Sequence, residues 1–394
     1  MSNVKPTQTS QTIQSSESIL FDLIKFKSVT PEDCGVTDYV INFLKPLGFE
    51  CDKIVIDDTT NLYAKLNNGG KNMCFLGHLD VVPVGDIAKW NTDPFVPQKI
   101  DGMIYGRGTC DMKGGVAAFM HAVADVLAQN KSSGTSAKNS ISFLLTTDEE
   151  GTAVNGVPKV LPMLHSKNEV IDFCFSGEPT TQQICDTIIV GNRGSLKFFI
   201  TVIGNQTHVN APKTEKNNPI SKLSHILSDI CDIELDNGTA EFWPSKIEPV
   251  QIDANAGAGN IIPRTAKVTI SVRFNVLQNY QKLIDLITGI CKKYCKDEEF
   301  EIELERNGES FLSEDKTMQN MLKDSVVKEG ITPSLSGNIT SDMRFVKQYC
   351  NSTAELGLCT IKAHEVNECI SSEDLNTVTN VYKNLLNKFL TQNF

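Results

Sequence analysis

Imidazole and carboxylate side chains follow three short apolar runs of the chain, those at 73–76, 141–145 and 170–175. The residues that follow these runs, in chain order, are His78, Asp80, Glu149, Glu150 and Glu178. Short apolar runs that end in turn residues are typical of buried strands. Because ligands of open α/β sheets bind beyond the carboxyl ends of the strands, we expect these side chains to converge on one crevice.

A further acid, Asp111, lies in a glycine-rich segment at 106–115 that opens a stretch of helical periodicity. His364, in the sequence AHEVNE, is the best candidate for a second histidine beside these acids. Imidazole nitrogen and carboxylate oxygen together suit a borderline cation such as zinc. Five ligands exceed what one open catalytic zinc site uses, so the set predicts two ions that share a carboxylate and a water.

Each of these signals is weak alone, since histidines also pack in cores and adjacent acids such as Glu149 and Glu150 commonly face solvent. Their position directly after a buried strand argues against a solvated pair. Glu178 follows a mostly apolar run, where burial of a carboxylate without a partner is costly. A divalent cation is a common partner for all of them. Asp80, two residues after His78, is placed to accept the second imidazole hydrogen and fix the tautomer that binds metal.

The elements that position these side chains change character near residue 190. Before it, apolar runs alternate with helical stretches, which predicts an α/β layer with a largely parallel sheet. After it, the predicted order is strand, helix, strand, strand, helix, strand, which is a split βαβ arrangement. We therefore predict a compact second domain inserted into the first, with a first catalytic segment at 1–188, the inserted domain at 189–304 and a second catalytic segment at 305–394.

Composition limits the classes of protein that the chain can belong to. The chain has 394 residues and a formal charge of −11, which argues against non-specific binding to nucleic acid or to an anionic membrane. No apolar stretch reaches the roughly 18 residues of a membrane-spanning helix. The polar N-terminus does not have the pattern of a signal peptide. The 12 cysteines are scattered without a C-x-x-C pair, so free thiols in a reducing cytoplasm are the expectation.

A set of short motifs resembles the metallopeptidase family M20 in order and approximate spacing, over nearly the whole chain from about residue 19 to 390. These motifs are GHLDVVP, YGRGTCDMKGG, DEEGTAVNG, SGEP, GNRGSL, NIIP, VRFN, TSDMRF and AHEVNE. The resemblance implies a di-zinc aminopeptidase-like catalytic domain with an inserted ferredoxin-like lid that forms a homodimer. It implies one zinc held by His78 and Glu178 and another held by Glu150 and His364, with Asp111 as the bridge. Cobalt or manganese could substitute.

The resemblance also implies roles for other residues. Glu149 matches the family's general acid and base, and Asp80 matches its histidine-orienting aspartate. His208 matches a lid histidine that reaches the active site of the partner subunit and stabilises the oxyanion. The other positions that contact substrate in the family correspond here to Arg193, Asn260, Arg273 and Thr340.

The implied activity is hydrolysis of the amide bond of N-succinyl-LL-2,6-diaminopimelate to succinate and LL-2,6-diaminopimelate. Two departures put the acyl group in question: Ala211 replaces a usual tyrosine, and Asn338-Ile339 replaces a usual glycine pair. An acetylornithine deacetylase or a dipeptidase would share every metal ligand. A non-catalytic metal-binding protein is a further alternative, which the presence of Glu149 beside a metal ligand disfavours.

Overall fold

The computed structural model of the protein describes residues 13–180, 182–212 and 217–394. Most of the polar N-terminal tail, residues 1–12, lies outside the described residues. Two compact units are present. The first falls within Met1–Ile188, Glu314–Ser334 and Gln348–Phe394, and the second comprises Ile189–Ser313 and Leu335–Lys347. The predicted domain limits stay a prediction; the second unit also contains 305–313 and 335–347.

A mixed sheet forms the centre of the first unit. Six of its eight strands lie wholly in this unit and have the spatial order Glu50–Ile56, Thr59–Leu66, Ser140–Thr146, Asn72–His78, Phe173–Ser176 and Ser352–Glu355. The last two, Thr187–Ile189 and Ser334–Ser336, fall at the limits between the two units. The third to sixth strands of this order run parallel to one another, and the first two join antiparallel. A smaller sheet contains Cys369–Ser371, Met103–Tyr105 and Gln98–Ile100. The α/β class is thus confirmed.

Helices cover the sheet of the first unit. They are Ser16–Ile24, Val36–Leu44, Lys113–Ser133, Val157–Ser166, Thr317–Val327 and Ser372–Thr391, with short 3-10 turns at Lys45–Leu47 and Ile87–Lys89. The long helix Lys113–Ser133 packs against the first and the last of these. The last helix begins where the Ser371 side chain accepts a hydrogen bond from the N–H of Asp374, a common way to start a helix. No helix in the described part of the chain combines the length and apolar character needed to cross a bilayer.

Aromatic side chains hold the long helix to the sheet. Phe75 and Phe119 stack with ring centroids 4.4 Å apart, and Phe143, Phe175 and Tyr382 pack edge-on or tilted around them. All five side chains are completely buried. Burial of each apolar ring stabilises the fold by on the order of 2–3 kcal/mol. This cluster fixes the helix that begins two residues after Asp111 against the strand that ends at His78.

The second unit has the predicted βαββαβ order. Its four-stranded antiparallel sheet has the spatial order Lys246–Asp253, Thr265–Phe274, Gly194–Ile203 and Phe300–Arg306. Its helices are Pro219–Cys231, Tyr280–Tyr294 and Met343–Val346, with a 3-10 turn at Asp297–Glu299. Short strand pairs join Thr207–His208 to Ile261–Ile262 and Phe311–Leu312 to Gly191–Asn192. One face of the sheet is apolar and packs on the two longer helices, as Phe198, Ile226 and Ile287 show by their complete burial.

Candidate metal centre

Strand direction places three of the predicted ligand segments at one edge of the sheet. The strand Asn72–His78 lies between Ser140–Thr146 and Phe173–Ser176 and runs parallel to both. His78 is the last residue of its strand. Glu149 and Glu150 follow Ser140–Thr146, and Glu178 follows Phe173–Ser176. The carboxyl ends of these parallel strands therefore meet, as expected from the sequence.

Close backbone packing brings Asp111 to the same edge. Gly115 lies in the first turn of the long helix, next to the loop that follows the strand Phe173–Ser176. A Cβ atom on Gly115 would be 2.4 Å from the carbonyl oxygen of Gly177 in that loop. A larger residue would push this helix away from the loop that carries Glu178. Glycine at this position thus permits the approach of two chain segments that each present a carboxylate.

His78 is fully buried, and its two ring nitrogens have different partners. Nε2 lies 3.1 Å from Oδ1 of Asp111 and 3.8 Å from Oε1 of Glu178. Nδ1 lies 2.9 Å from the carbonyl oxygen of Asp80 and 3.5 Å from its Oδ1. With Nδ1 as the hydrogen donor, the lone pair of Nε2 is directed at the carboxylates, which is the tautomer that a metal ligand requires.

Asp111 presents one carboxylate oxygen to each of the two histidines. Nε2 of His364 lies 3.1 Å from Oδ2 of Asp111, on the opposite oxygen from His78, and 3.0 Å from Oε1 of Glu150. Potential ligand atoms fall into two groups within 4.8 Å, one of His78, Glu149 and Glu178 and one of His78, Asp111 and Glu150. The predicted metal ligands are therefore brought together, with Asp111 between the histidines.

The carboxylates of the cluster compete for positive charge. Burial raises the pKa of Glu178 well above its ordinary value; His78 opposes this, and the charges of Asp111 and Glu149 add to it. Burial would also raise the pKa of Asp111, but hydrogen bonds from His364 and His78 hold it well below its usual range. Like charges this close need a compensating cation or bound protons.

The two histidines of the cluster respond to these carboxylates with raised pKa values. Burial alone would lower the pKa of His78, but Glu178 and the hydrogen bond to Asp111 raise it well above the ordinary value. Hydrogen bonds to Asp111 and Glu150 raise the pKa of His364 to about 10. The set of two imidazoles and three carboxylates fits two divalent cations, with the partly exposed Asp111 carboxylate between the two histidines.

Asp80 contacts more than the histidine that it was predicted to orient. Its carboxylate is fully buried, and Oδ2 accepts a hydrogen bond from the backbone N–H of Glu150 at 3.1 Å. Its Oδ1 lies 3.5 Å from the backbone nitrogen of Glu149. Asp80 thus connects the strand end of His78 to the segment that carries the predicted general base and a predicted ligand.

Sequence reasoning missed Asp148, the first of the three consecutive acids. Its Oδ2 accepts hydrogen bonds from the N–H groups of Val154 and Asn155, both at 2.8 Å, and its Oδ1 accepts from Ala153 at 3.2 Å. Asp148 therefore folds the turn that follows Glu149 and Glu150. The burial of Asp148, at 3% exposure, distinguishes it from its neighbours, and a run of three acids carries no signal of this difference.

The predicted substrate contacts all lie in the second unit. Two of them meet, since Nε2 of His208 is 3.3 Å from Nδ2 of Asn260. Arg273 projects from the strand Thr265–Phe274 and donates to Oγ of Ser195 at 2.6 Å. Their roles toward substrate stay predictions.

Arg193 is largely buried, and its guanidinium is held by its own unit. Nη1 donates to the carbonyl oxygen of Trp243 at 3.1 Å and to Oδ1 of Asn338 at 3.2 Å. Nη2 donates to the carbonyl oxygens of Pro244 and Arg273 at 2.9 and 2.8 Å. Asn338, where the family commonly has glycine, is therefore part of the scaffold that fixes Arg193.

Thr340 follows this scaffold in the chain. Its Oγ1 donates to the carbonyl oxygen of Arg193 at 3.4 Å, a long contact that places it beside that residue. A role of Thr340 in binding substrate stays a prediction.

Comparisons of this chain with known proteins agree with the fold and the site described above. The model of peptidase family M20/M25/M40 matches residues 74–388. The chain belongs to this family. It is 41% identical over 372 residues to a succinyl-diaminopimelate desuccinylase of Wolbachia pipientis subsp. Culex pipiens, with 93% of this chain and 91% of the relative covered. It is 40% identical over 376 residues to the protein of that name in Rickettsia bellii, with 93% and 95% covered.

Solved structures share the fold at low sequence identity. The M20 metallo-carboxypeptidase Sso-CP2 of Sulfolobus solfataricus aligns with a TM-score of 0.76 and 18% identity, covering 96% of this chain and 100% of its own. The Bacillus subtilis YXEP protein, described as a dinuclear metal-binding peptidase of the M20 family, aligns with a TM-score of 0.70 and 17% identity, covering 94% and 96%. These similarities support the two-unit architecture.

Proposed function

We propose that the cluster binds two zinc ions, one by His78 and Glu178 and the other by Glu150 and His364, with Asp111 shared between them. The separate oxygens that Asp111 offers to the two histidines, at 3.1 Å each, support this assignment. One solved relative in fold is itself described as a dinuclear metal-binding peptidase. Cobalt or manganese would suit the same nitrogen and oxygen donors.

Zinc bound here would lower the pKa of a water molecule and polarise an amide carbonyl group. Glu149 lies close to His78 and Glu178 and is left over once the five ligands are assigned. We assign to its carboxylate the removal of a proton from the attacking water and the later donation of that proton to the departing amine nitrogen. The backbone carbonyl oxygen of Asp80, 2.9 Å from Nδ1 of His78, would keep that nitrogen protonated, so that Nε2 stays available to the cation.

The activity that these features support best is hydrolysis of N-succinyl-LL-2,6-diaminopimelate to succinate and LL-2,6-diaminopimelate, a step in the biosynthesis of lysine and of meso-diaminopimelate. The observation that carries this assignment is the 41% identity over 93% of the chain to a protein of that activity by name. The cluster of histidines and carboxylates that could hold two cations supports it. Hydrolysis of this amide needs water activation and a proton for the leaving amine, both of which the cluster can supply.

Steady-state hydrolysis by the zinc-loaded protein tests the assignment. N-succinyl-LL-2,6-diaminopimelate, N-acetylornithine and a set of dipeptides would be compared by kcat/KM. We expect clear preference for the succinylated substrate. Robust turnover of N-acetylornithine or of dipeptides without turnover of the succinylated compound would replace it with the corresponding deacetylase or dipeptidase. Zinc binding without any hydrolysis would favour a non-catalytic metal-binding protein.

Substrate carboxylates would be recognised by the second unit through Arg273, together with His208, Asn260 and Thr340. Arg193, whose Nη1 and Nη2 already donate within its own unit, would support these residues and not form a fork to the carboxylate. An arginine suits a carboxylate because its donors form a planar fork. Arg273→Lys keeps the charge and loses the fork. We expect it to raise KM for the succinylated substrate by about 10-fold or more while zinc content is unchanged.

We also propose a homodimer formed through the second unit and a cytoplasmic location. The edge strand Lys246–Asp253 exposes Val250 and Ile252 at 61% and 59%, and an unpaired apolar edge favours pairing with a second chain. None of the 12 cysteines, all of which lie in the described part of the chain, forms a disulfide bond, as expected in a reducing compartment. Light scattering of the wild type and of Val250→Lys would test the dimer, because a charged edge should shift the protein toward the monomer.

A further inference from the structure

A buried carboxylate outside the predicted ligand set accepts hydrogen bonds from the segment that carries Asp111. Glu368 is completely buried. Its Oε2 accepts a hydrogen bond from the N–H of Gly108 at 2.9 Å, and its Oε1 accepts from the N–H groups of Cys110 and Asp111 at 2.8 and 3.1 Å. The carbonyl oxygen of Glu368 also accepts from the N–H of Gly106, at 3.1 Å. Four backbone N–H groups of one short segment are thereby fixed by a single residue.

Arg107 pairs with this carboxylate and reaches two other segments of the site. Nη1 donates to Oε2 of Glu368 at 2.8 Å, and the side chain of Arg107 is only 2% exposed. Nη2 lies 3.3 Å from the carbonyl oxygen of Pro83, in the segment after His78, and 3.5 Å from the carbonyl oxygen of His364. The pair therefore connects the segments that carry three of the five predicted ligands.

Glycine at 108 favours this position of the segment. Gly108 has φ +91°, in the left-handed region, and a Cβ atom on it would be 2.8 Å from Cγ1 of Val81. The N–H of Gly108 is one of the donors to Glu368. Backbone conformation and the carboxylate thus specify the same path for the chain up to Asp111.

Stability alone is a weak reason for such an arrangement. A buried ion pair often contributes little net stability, because removal of both charges from water costs about as much as their attraction gains. The pair determines the orientation of the Asp111 carboxylate. With its backbone N–H bound to Oε1 of Glu368, Asp111 is held where its two oxygens face two different histidines.

We propose that Glu368, neutralised by Arg107, is a positioning residue that orients the Asp111 carboxylate to serve two cations at once. This inference rests on the proposed two-cation site. A carboxylate is needed because only an anion with two accepting oxygens can receive N–H groups on both sides. In Glu368→Gln the side-chain shape is retained, but one accepting oxygen becomes an NH₂ group that faces N–H donors.

Zinc titration of the chelator-stripped full chain tests the proposal. The wild type should take up two ions. Glu368→Gln should retain one ion and bind the second at least about 10-fold more weakly, as is usual when a residue that supports a ligand is lost. Cobalt substitution gives a second readout, since the visible absorption bands report ligand geometry. We expect the bands of Glu368→Gln to shift at the second equivalent, whether or not hydrolysis is measured.

Asp172→Asn is the matched control. The Asp172 carboxylate also accepts from a backbone N–H, that of Asn72 at 2.9 Å, and pairs with a cation, Lys71 at 2.8 Å. It precedes the strand Phe173–Ser176, at the end opposite to the one that leads to Glu178. Asp172→Asn should therefore bind two zinc ions like the wild type even where its unfolding midpoint falls.

The outcomes separate this inference from the proposed function. Two ions and full hydrolysis in the wild type, with unchanged zinc affinity and cobalt bands in Glu368→Gln, would overturn the positioning role and leave the function intact. A wild type that takes up no zinc would overturn both. Hydrogen exchange of the metal-free wild type covers the case in which the variant does not fold. The segment 106–111 should be protected before any metal is added, and protection that arises only with zinc would contradict the proposal.

Discussion

Asp80 accepts a hydrogen bond from the backbone N–H of Glu150, with 3.1 Å between Oδ2 and N. The same carboxylate lies 3.5 Å from Nδ1 of His78. One buried side chain therefore touches a residue of each proposed cation pair. In the family the corresponding aspartate is expected to orient a histidine, and here it also fixes the backbone of the opposite pair.

Loss of the Asp80 carboxylate should accordingly weaken the binding of both cations. We expect Asp80→Asn to lower zinc affinity by about 10- to 100-fold, the usual cost of a lost partner to a ligand. Competition with a fluorescent zinc chelator measures each dissociation constant. If only the cation at His78 weakened, the contact to Glu150 would have no role in metal binding.

Replacement of Glu149 should separate catalysis from metal binding. We expect Glu149→Gln to lower kcat by about 10² to 10⁴-fold, since general acid and base catalysis is typically worth that much. Zinc content should remain that of the wild type. Glu150→Gln is the neighbouring comparison and should lose zinc as well as activity. Full hydrolysis by Glu149→Gln would remove Glu149 from the mechanism.

Much of the fold could be predicted because local patterns and tertiary structure agree. The apolar run at 141–145 lies inside the strand Ser140–Thr146, and the helical periodicity that follows the glycine-rich segment 106–115 corresponds to the helix Lys113–Ser133. The antiparallel strand Glu50–Ile56 was missed because all of its residues are exposed or half-buried and its only apolar run, at 54–56, is three residues long. Its place in the sheet depends on pairing with the following strand.

The predicted ligands come together because strand ends are readable from sequence. Glu368 was not predicted as a functional residue, although it is part of the AHEVNE motif, because its partners lie 257 to 261 positions away. No periodicity relates such distant positions. The commitment of Arg193 to carbonyl oxygens depends in the same way on loops that only the folded chain brings together.

The Gly108 position gives a stability prediction with a control inside the same unit. Gly108→Ala must accept both a left-handed φ and a close contact to Val81, and we expect a cost of about 2–4 kcal/mol. Gly134 has φ +71° and nothing within 4 Å of its Cβ position, so Gly134→Ala should cost only about 1 kcal/mol. Urea unfolding followed by Trp90 fluorescence in a Trp243→Phe background measures both. Equal losses would show that the contact to Val81 relaxes without cost.

The environment of Asp236 lets us predict how the stability of the second unit depends on pH. Its Oδ1 accepts hydrogen bonds from Asn275 Nδ2 at 2.6 Å, from Gly238 N at 2.9 Å and from Ser245 N at 3.1 Å. Burial alone would raise the pKa of Asp236, but hydrogen bonds from Ser245, Asn275 and Gly238 lower it to about 2. The pKa of an unfolded aspartate is about 3.9.

The sign follows from this order of the two pKa values. Because the folded state holds the proton less tightly, the ionised carboxylate stabilises the folded state above about pH 4. That contribution is lost as the pH falls toward the folded pKa of about 2. Asp236→Asn should therefore unfold at lower urea concentration than the wild type at pH 7, and the difference should shrink between pH 4 and pH 2. Trp243 fluorescence in a Trp90→Phe background follows this unit, and the exposed Asp253→Asn is the control. A difference that stayed constant down to pH 2 would mean that Asp236 acts through its shape and not through its charge.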